Sequence, residues 1–135
     1  KEKKKKKMKI LGIGVDVIKN KRIQNLIKNK SFMKRTFGKN EVIFSKKTSN
    51  KINYFAKRFA AKEAFAKSLG TGFRNNLNLK DIEILNDKIG KPYYHKSKKI
   101  SHLIKKKYKI RDFNLFLSIS DEKEYSVAFT VLQTK

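Results

Sequence analysis

The chain has no cysteine, two histidines and only 11 acidic residues among 135. Without cysteine there is no disulfide framework, no thiolate nucleophile and no cysteine-ligated zinc. His95 and His102 are too few for a histidine metal cluster and hard to assemble into an acyl-transfer triad. No run of about 18 apolar residues occurs, and the lysine-rich start has no apolar stretch behind it, so neither a membrane span nor a secretory signal is expected. The expectation is a soluble, cytoplasmic, single-domain protein. Its chemistry must run on carboxylates, lysines, hydroxyls and, where one is used, a hard metal ion.

What is abundant is positive charge: 36 Lys+Arg give a formal net charge of +25. Nucleic acid is the first partner such a field suggests, because Lys and Arg neutralise phosphates and release counterions. Yet only 5 of the 36 are Arg, alongside many Asn and Ile. That pattern looks like chain-wide codon bias rather than selection for bidentate contacts. A polyanionic small molecule or an acidic protein fits the same field. Residues 1–7, with six Lys and one Glu, read as a disordered solvated arm before a single domain over 8–135.

Along the chain, Lys9–Val17 alternates as a strand, with Leu11, Ile13, Val15 and Val17 on one face and Ile10, Gly12, Gly14 and Asp16 on the other. Glycine within a strand marks close approach of a backbone or a ligand, which draws attention to Asp16. Ile18–Lys30, Phe32–Phe37 and Asn40–Lys47 read as short basic helices. Asn50–Leu69 is the longest periodic segment, with Asn50 as N-cap, Gly70 as stop, and Ile52, Phe55, Ala56, Phe59 and Ala66 along one side. Glu63 falls inside that apolar stripe, where a carboxylate is costly unless paired or metal-bound. An ordinary i,i+4 pair of Glu63 with Lys67 is the plain alternative. Asp81–Leu85 and Lys91–Tyr94 read as a hairpin, Lys98–Lys109 as a basic helix, and Phe113–Ile119 with Tyr125–Val131 as a second hairpin turning at Asp121–Glu124.

Asp16 and Glu63 are thus the two acids placed oddly against their surroundings. Two carboxylates without imidazole or thiolate suit Mg²⁺, which keeps waters and fills its shell with substrate phosphate oxygens. Arg58, Lys62 and Lys67 supply cations on the same helix for a pyrophosphate, and the whole describes a phosphoryl-transfer site. The rival reading is a basic RNA- or DNA-binding module in which both acids are structural. It leaves Glu63 in an apolar stripe unexplained.

In order and spacing, Gly12-Ile13-Gly14-Val15-Asp16, the block Arg58–Gly72 (RFAAKEAFAKSLGTG), Asp81-Ile82-Glu83-Ile84 and Gly90-Lys91-Pro92 resemble the holo-[acyl-carrier-protein] synthases, the small class of 4′-phosphopantetheinyl transferases. The resemblance spans Met8 to Leu132. Ala60, where larger two-lobed relatives carry Ser, Thr or Cys, agrees with the small class.

The resemblance implies an α+β fold, a small antiparallel sheet packed on a long central helix. It implies transfer of the phosphopantetheine arm of coenzyme A to a serine of apo-acyl carrier protein, for fatty acid biosynthesis, with release of adenosine 3′,5′-bisphosphate. Asp16 and Glu63 are then the magnesium ligands, Glu63 the candidate base and Lys67 the group that neutralises the departing oxygen. Arg58, Lys62, Lys67, Gly70, Thr71, Gly90, Lys91 and Pro92 match segments lining the coenzyme A cleft. A homotrimer with sites between subunits is implied too. The basic first helix, with Lys19, Lys21, Arg22 and Lys28, offers a dock for the acidic carrier, without nucleic acid or membrane. A coenzyme A-binding homologue without activity would carry the same motifs. Asp121 stands where many relatives have histidine, so no histidine role is carried over.

Overall fold

The computed structural model describes residues 7–70 and 77–135. Apart from Lys7, the expected arm lies outside them, and so does Thr71. The elements run β1 (Ile10–Lys19), α1 (Asn20–Leu26), α2 (Lys30–Thr36), α3 (Lys39–Ser45), α4 (Lys51–Ser68), a 3₁₀ turn (Leu79–Asp81), β2 (Ile84–Asn86), β3 (Pro92–Tyr94), α5 (Lys98–Tyr108), β4 (Phe113–Asp121) and β5 (Tyr125–Thr134). An antiparallel sheet in the order β1-β5-β4 covers α4, and β2 and β3 form a separate hairpin. This is the α+β architecture that the motifs imply. Among the described residues no helix is long and apolar enough to cross a membrane.

The central helix starts where the Asn50 side chain accepts from the Asn53 amide at 3.0 Å, and it stops before Gly70 at φ 73. Its surroundings differ from the one-sided stripe expected. Tyr54, Ala60, Ala61, Lys62, Ala64 and Phe65 are buried along with Phe55, Ala56 and Phe59. The sheet lies on one side and the short helices and hairpin on the others, so nearly every direction is covered. Five alanines among its 18 residues help permit this, because small side chains let several elements approach one helix.

The face of β1 packed on α4 is the glycine face. A Cβ on Gly12 would lie 1.8 Å from the Ser68 carbonyl oxygen, and one on Gly14 would lie 1.9 Å from that of Ala64. The close neighbour that the glycines anticipate is therefore the backbone of α4. The alternating apolar face points outward: Ile13, Val15 and Val17 are each at least 50% exposed. Through the register Ile13↔Val131↔Phe116 and Val15↔Phe129, this apolar surface continues across the sheet.

Past Val17 the strand continues to Lys19, carrying Ile18 into the core, so α1 begins only at Asn20. Asn20 ties that junction to the β4–β5 turn, donating to the Glu122 and Lys123 carbonyls at 2.9 and 3.1 Å. The single helix expected over Ile18–Lys30 breaks at Ile27–Asn29, since Asn29 caps α2 by accepting from the Phe32 amide at 3.0 Å.

Candidate active site

Asp16 comes from the strand face that the glycines hold against α4, and Glu63 comes from the α4 turn facing it. Together with Val17, Ile18, Arg22 and Phe59 they line a cleft of about 230 Å³. Burial, and then the charge of Asp16, push the Glu63 carboxyl above the ordinary glutamate range; Lys67 and Arg22 pull the other way. Lys67 makes no plain i,i+4 pair with Glu63. Its Nζ donates to Asp16 Oδ1 at 3.1 Å and to the Val15 carbonyl at 3.0 Å, with the side chain 56% exposed. Arg22 was expected only as part of a docking surface, but it belongs to the wall of this cleft.

Among the described residues no three His, Cys, Asp or Glu side chains converge. A cation here would therefore have two protein carboxylates, and the rest of its shell would be water and substrate oxygen. That donor set fits Mg²⁺, and the repulsion felt by Glu63 is what a divalent ion relieves.

The other expected residues gather elsewhere. Arg58 and Glu63 are five residues apart on one helix and so point about 140° apart. Arg58 faces the β2–β3 hairpin: Nη2 donates to Asn86 Oδ1 at 2.5 Å, and the guanidinium stacks 3.6 Å from the Tyr54 ring centroid. Its Nε is buried without a partner. Gly90, at φ 88, forms the hairpin turn that leads into Lys91 and Pro92; its carbonyl accepts from Asn86 Nδ2 at 2.9 Å.

Lys62 reaches neither group of residues. It is fully buried, with Nζ 2.5 Å from Glu41 Oε1, so the expected contact with a pyrophosphate is not open to it. The structure replaces that expectation with an internal ion pair. Glu41, Tyr54 and Asn86 were not singled out from sequence. Only Glu41 left a signal there: the Gly38-x-x-Glu41 spacing of a helix start, realised as Gly38 N donating to Glu41 Oε1 at 3.0 Å. Asp121 accepts from Asn53 Nδ2 at 2.6 Å, beside a second cleft between the start of α4 and the β4–β5 turn.

A mostly buried helix under a three-stranded sheet, with a carboxylate pair at their seam, is the frame of a small α+β protein. The chain belongs to the 4′-phosphopantetheinyl transferase superfamily, which residues 12–130 match. Within it the chain is 57% identical over 128 residues to the holo-[acyl-carrier-protein] synthase of Pelagibacter ubique (strain HTCC1062), an alignment covering 95% of this chain and 100% of that protein. The crystal structure of the Neisseria meningitidis holo-[acyl-carrier-protein] synthase superposes with TM-score 0.82 at 37% identity, covering 92% of this chain and 98% of that one. The Bacillus anthracis str. Ames synthase, solved in complex with CoA (3′,5′-ADP), superposes with TM-score 0.77 at 35% identity, covering 93% and 98%. The small class that the motifs resemble is thus the class to which the chain belongs.

Proposed function

We propose that the chain transfers the 4′-phosphopantetheine group of coenzyme A to a serine of apo-acyl carrier protein, in the service of fatty acid biosynthesis. The observation that carries this reading is the facing pair of Asp16 and Glu63 at an open cleft with Lys67 beside them. A bond forms between the serine oxygen and the β-phosphorus. The bond from that phosphorus to the bridging oxygen breaks, and adenosine 3′,5′-bisphosphate leaves.

Asp16 and Glu63 would hold Mg²⁺, which when bound supplies polarisation of the pyrophosphate. Glu63, directly or through a neighbouring water, takes the serine proton. Lys67 has an exposed head at the cleft and donates to the departing oxygen, where negative charge grows. Arg58 and the Gly90-Lys91-Pro92 turn, on the hairpin side of α4, receive the nucleotide half.

The carboxylate face and the Arg58 face of α4 diverge, and the outer face of the sheet is apolar and exposed. Both observations favour a homotrimer in which one copy's carboxylates work beside another copy's hairpin. Exposed Lys19, Lys21 and Lys28 give the acidic carrier a complementary approach.

Release of adenosine 3′,5′-bisphosphate from coenzyme A tests the reaction. It is expected only when apo-carrier and Mg²⁺ are both present, and a chelator should stop it. Release that ignores the chelator would contradict the metal site, and release without carrier would contradict the transfer.

A further inference from the structure

Among the described residues, the most heavily buried charges lie outside the carboxylate cleft. Lys62 and Glu41 are both fully buried. Burial pushes Lys62 below the usual lysine range and Glu41 above the usual glutamate range, and their mutual attraction opposes both shifts. Such a pair is weak evidence for stability, since removing two charges from water costs about what their attraction returns. Where its hydrogen bonds go is more informative.

Lys62 Nζ donates to the carbonyls of Leu79 and Ile82 at 3.1 and 2.5 Å, and to Glu41 Oε1 at 2.5 Å. Glu41 Oε2 accepts from the Ile84 amide at 3.1 Å. Two side chains, one on α4 and one on α3, therefore grip three backbone groups in the six residues that lead into β2. The other strand of the hairpin has its own buried anchor, Tyr94, whose hydroxyl donates to the Ala61 carbonyl at 2.5 Å and lies 2.6 Å from Thr130 Oγ1. Lys62 is one helical turn beyond Arg58, on the same side of α4. Just past the gripped backbone comes Asn86, the acceptor for Arg58 Nη2, and then the Gly90-Lys91-Pro92 turn.

We propose that the Glu41–Lys62 pair is a positioning device for the coenzyme A cleft: it fixes the β2–β3 hairpin on α4 so that Asn86 and the Gly90–Pro92 turn meet Arg58. This rests on the transferase reading for its ligand, while the clamp itself is a matter of the fold. Neither residue touches substrate. Lys62 acts through the backbone it holds, which gives a reason for a cation next to Glu63 that cannot reach a phosphate.

The test replaces both charges with apolar groups of similar size, Glu41→Leu with Lys62→Met, so that no lone charge is left inside. Circular dichroism and thermal melting establish that the variant is folded. Hydrogen exchange should then speed up at the amides of Ile84–Asn86 and Tyr93–Tyr94, while the core of α4 stays protected. The KM for coenzyme A should rise about tenfold or more, with kcat and the KM for carrier each within about threefold of the parent. Unchanged hairpin exchange or an unchanged KM for coenzyme A would overturn the proposal. So would an equal loss in kcat and in both KM values, the signature of general damage.

If the double variant does not fold, Glu41→Asp decides the matter. It keeps the charge and shortens the brace by one methylene, and it should reproduce the exchange change and the selective KM rise in smaller measure, whereas wild-type values would overturn the proposal. The exchange experiment needs no substrate. Looser hairpin amides in a chain whose parent never turns over coenzyme A would sustain the clamp and refute the transferase reading.

Discussion

Gly14 and Asp16 are two residues apart on the same face of β1, and the first sets where the second can go. With no side chain at Gly14, the strand lies against the Ala64 carbonyl, and this brings Asp16 level with the turn of α4 that carries Glu63. Gly14→Ala would put a methyl carbon where only 1.9 Å separates it from that oxygen. Since neither backbone can yield without breaking the β1–α4 packing, the variant should lose about 3 kcal/mol or more, read from the denaturation midpoint. Glu63 shows the opposite trade. Its carboxyl titrates above its ordinary value of 4.5, so the folded chain holds that proton more tightly than the unfolded chain does. Ionisation therefore subtracts stability as pH rises through the folded value. In metal-free buffer Glu63→Gln should raise the melting temperature at neutral pH, and the gain should vanish at pH well below 4.5, where both states hold the proton. A variant less stable than the parent at neutral pH would mean that Lys67 and Arg22 already compensate the charge.

The central helix was the element most legible in sequence, because its punctuation is local: Asn50 caps it and Gly70 ends it, as their chemistry dictates. Asn50→Ala should cost about 1 kcal/mol in urea denaturation without moving the active groups, since only the Asn53 amide loses its acceptor. The position of Glu63 was legible too, because helical phase alone sets it among Phe59 and Ala56. Legibility failed where a partner distant in sequence decides the outcome. Nothing local says that Lys62 turns inward, because its partner Glu41 and the carbonyls of Leu79 and Ile82 lie on two other segments. Which face of β1 packs inward is likewise decided by a distant partner. Alternating Ile13, Val15 and Val17 look like a core face, yet the glycine face packs more closely, and a helix backbone takes the place that large side chains would fill. The break between α1 and α2 depends on one cap, Asn29, inside a pattern that otherwise continues.

At the scale of the whole molecule, that apolar face and the +25 charge call for partners of different kinds. Ile13, Val15, Val17, Phe116 and Phe129 lie exposed on one side of the sheet, a surface that a second copy can cover and water cannot favourably. Phe129→Glu, in the middle of that face, should turn an assembled protein into a monomer by sedimentation. A parent that sediments as a monomer would contradict the homotrimer. The charge suits an acidic carrier, the partner that the proposed transfer requires. One measurement bears on that claim most directly: the intact mass of an apo-acyl carrier protein after incubation with coenzyme A, Mg²⁺ and either the parent chain or Glu63→Gln. The parent should add the mass of one phosphopantetheine group to the carrier, at a rate at least about a hundredfold above the variant, the loss typical when one group is removed from a preorganised site. A carrier left unmodified by the parent, or modified equally fast by Glu63→Gln, would contradict the account.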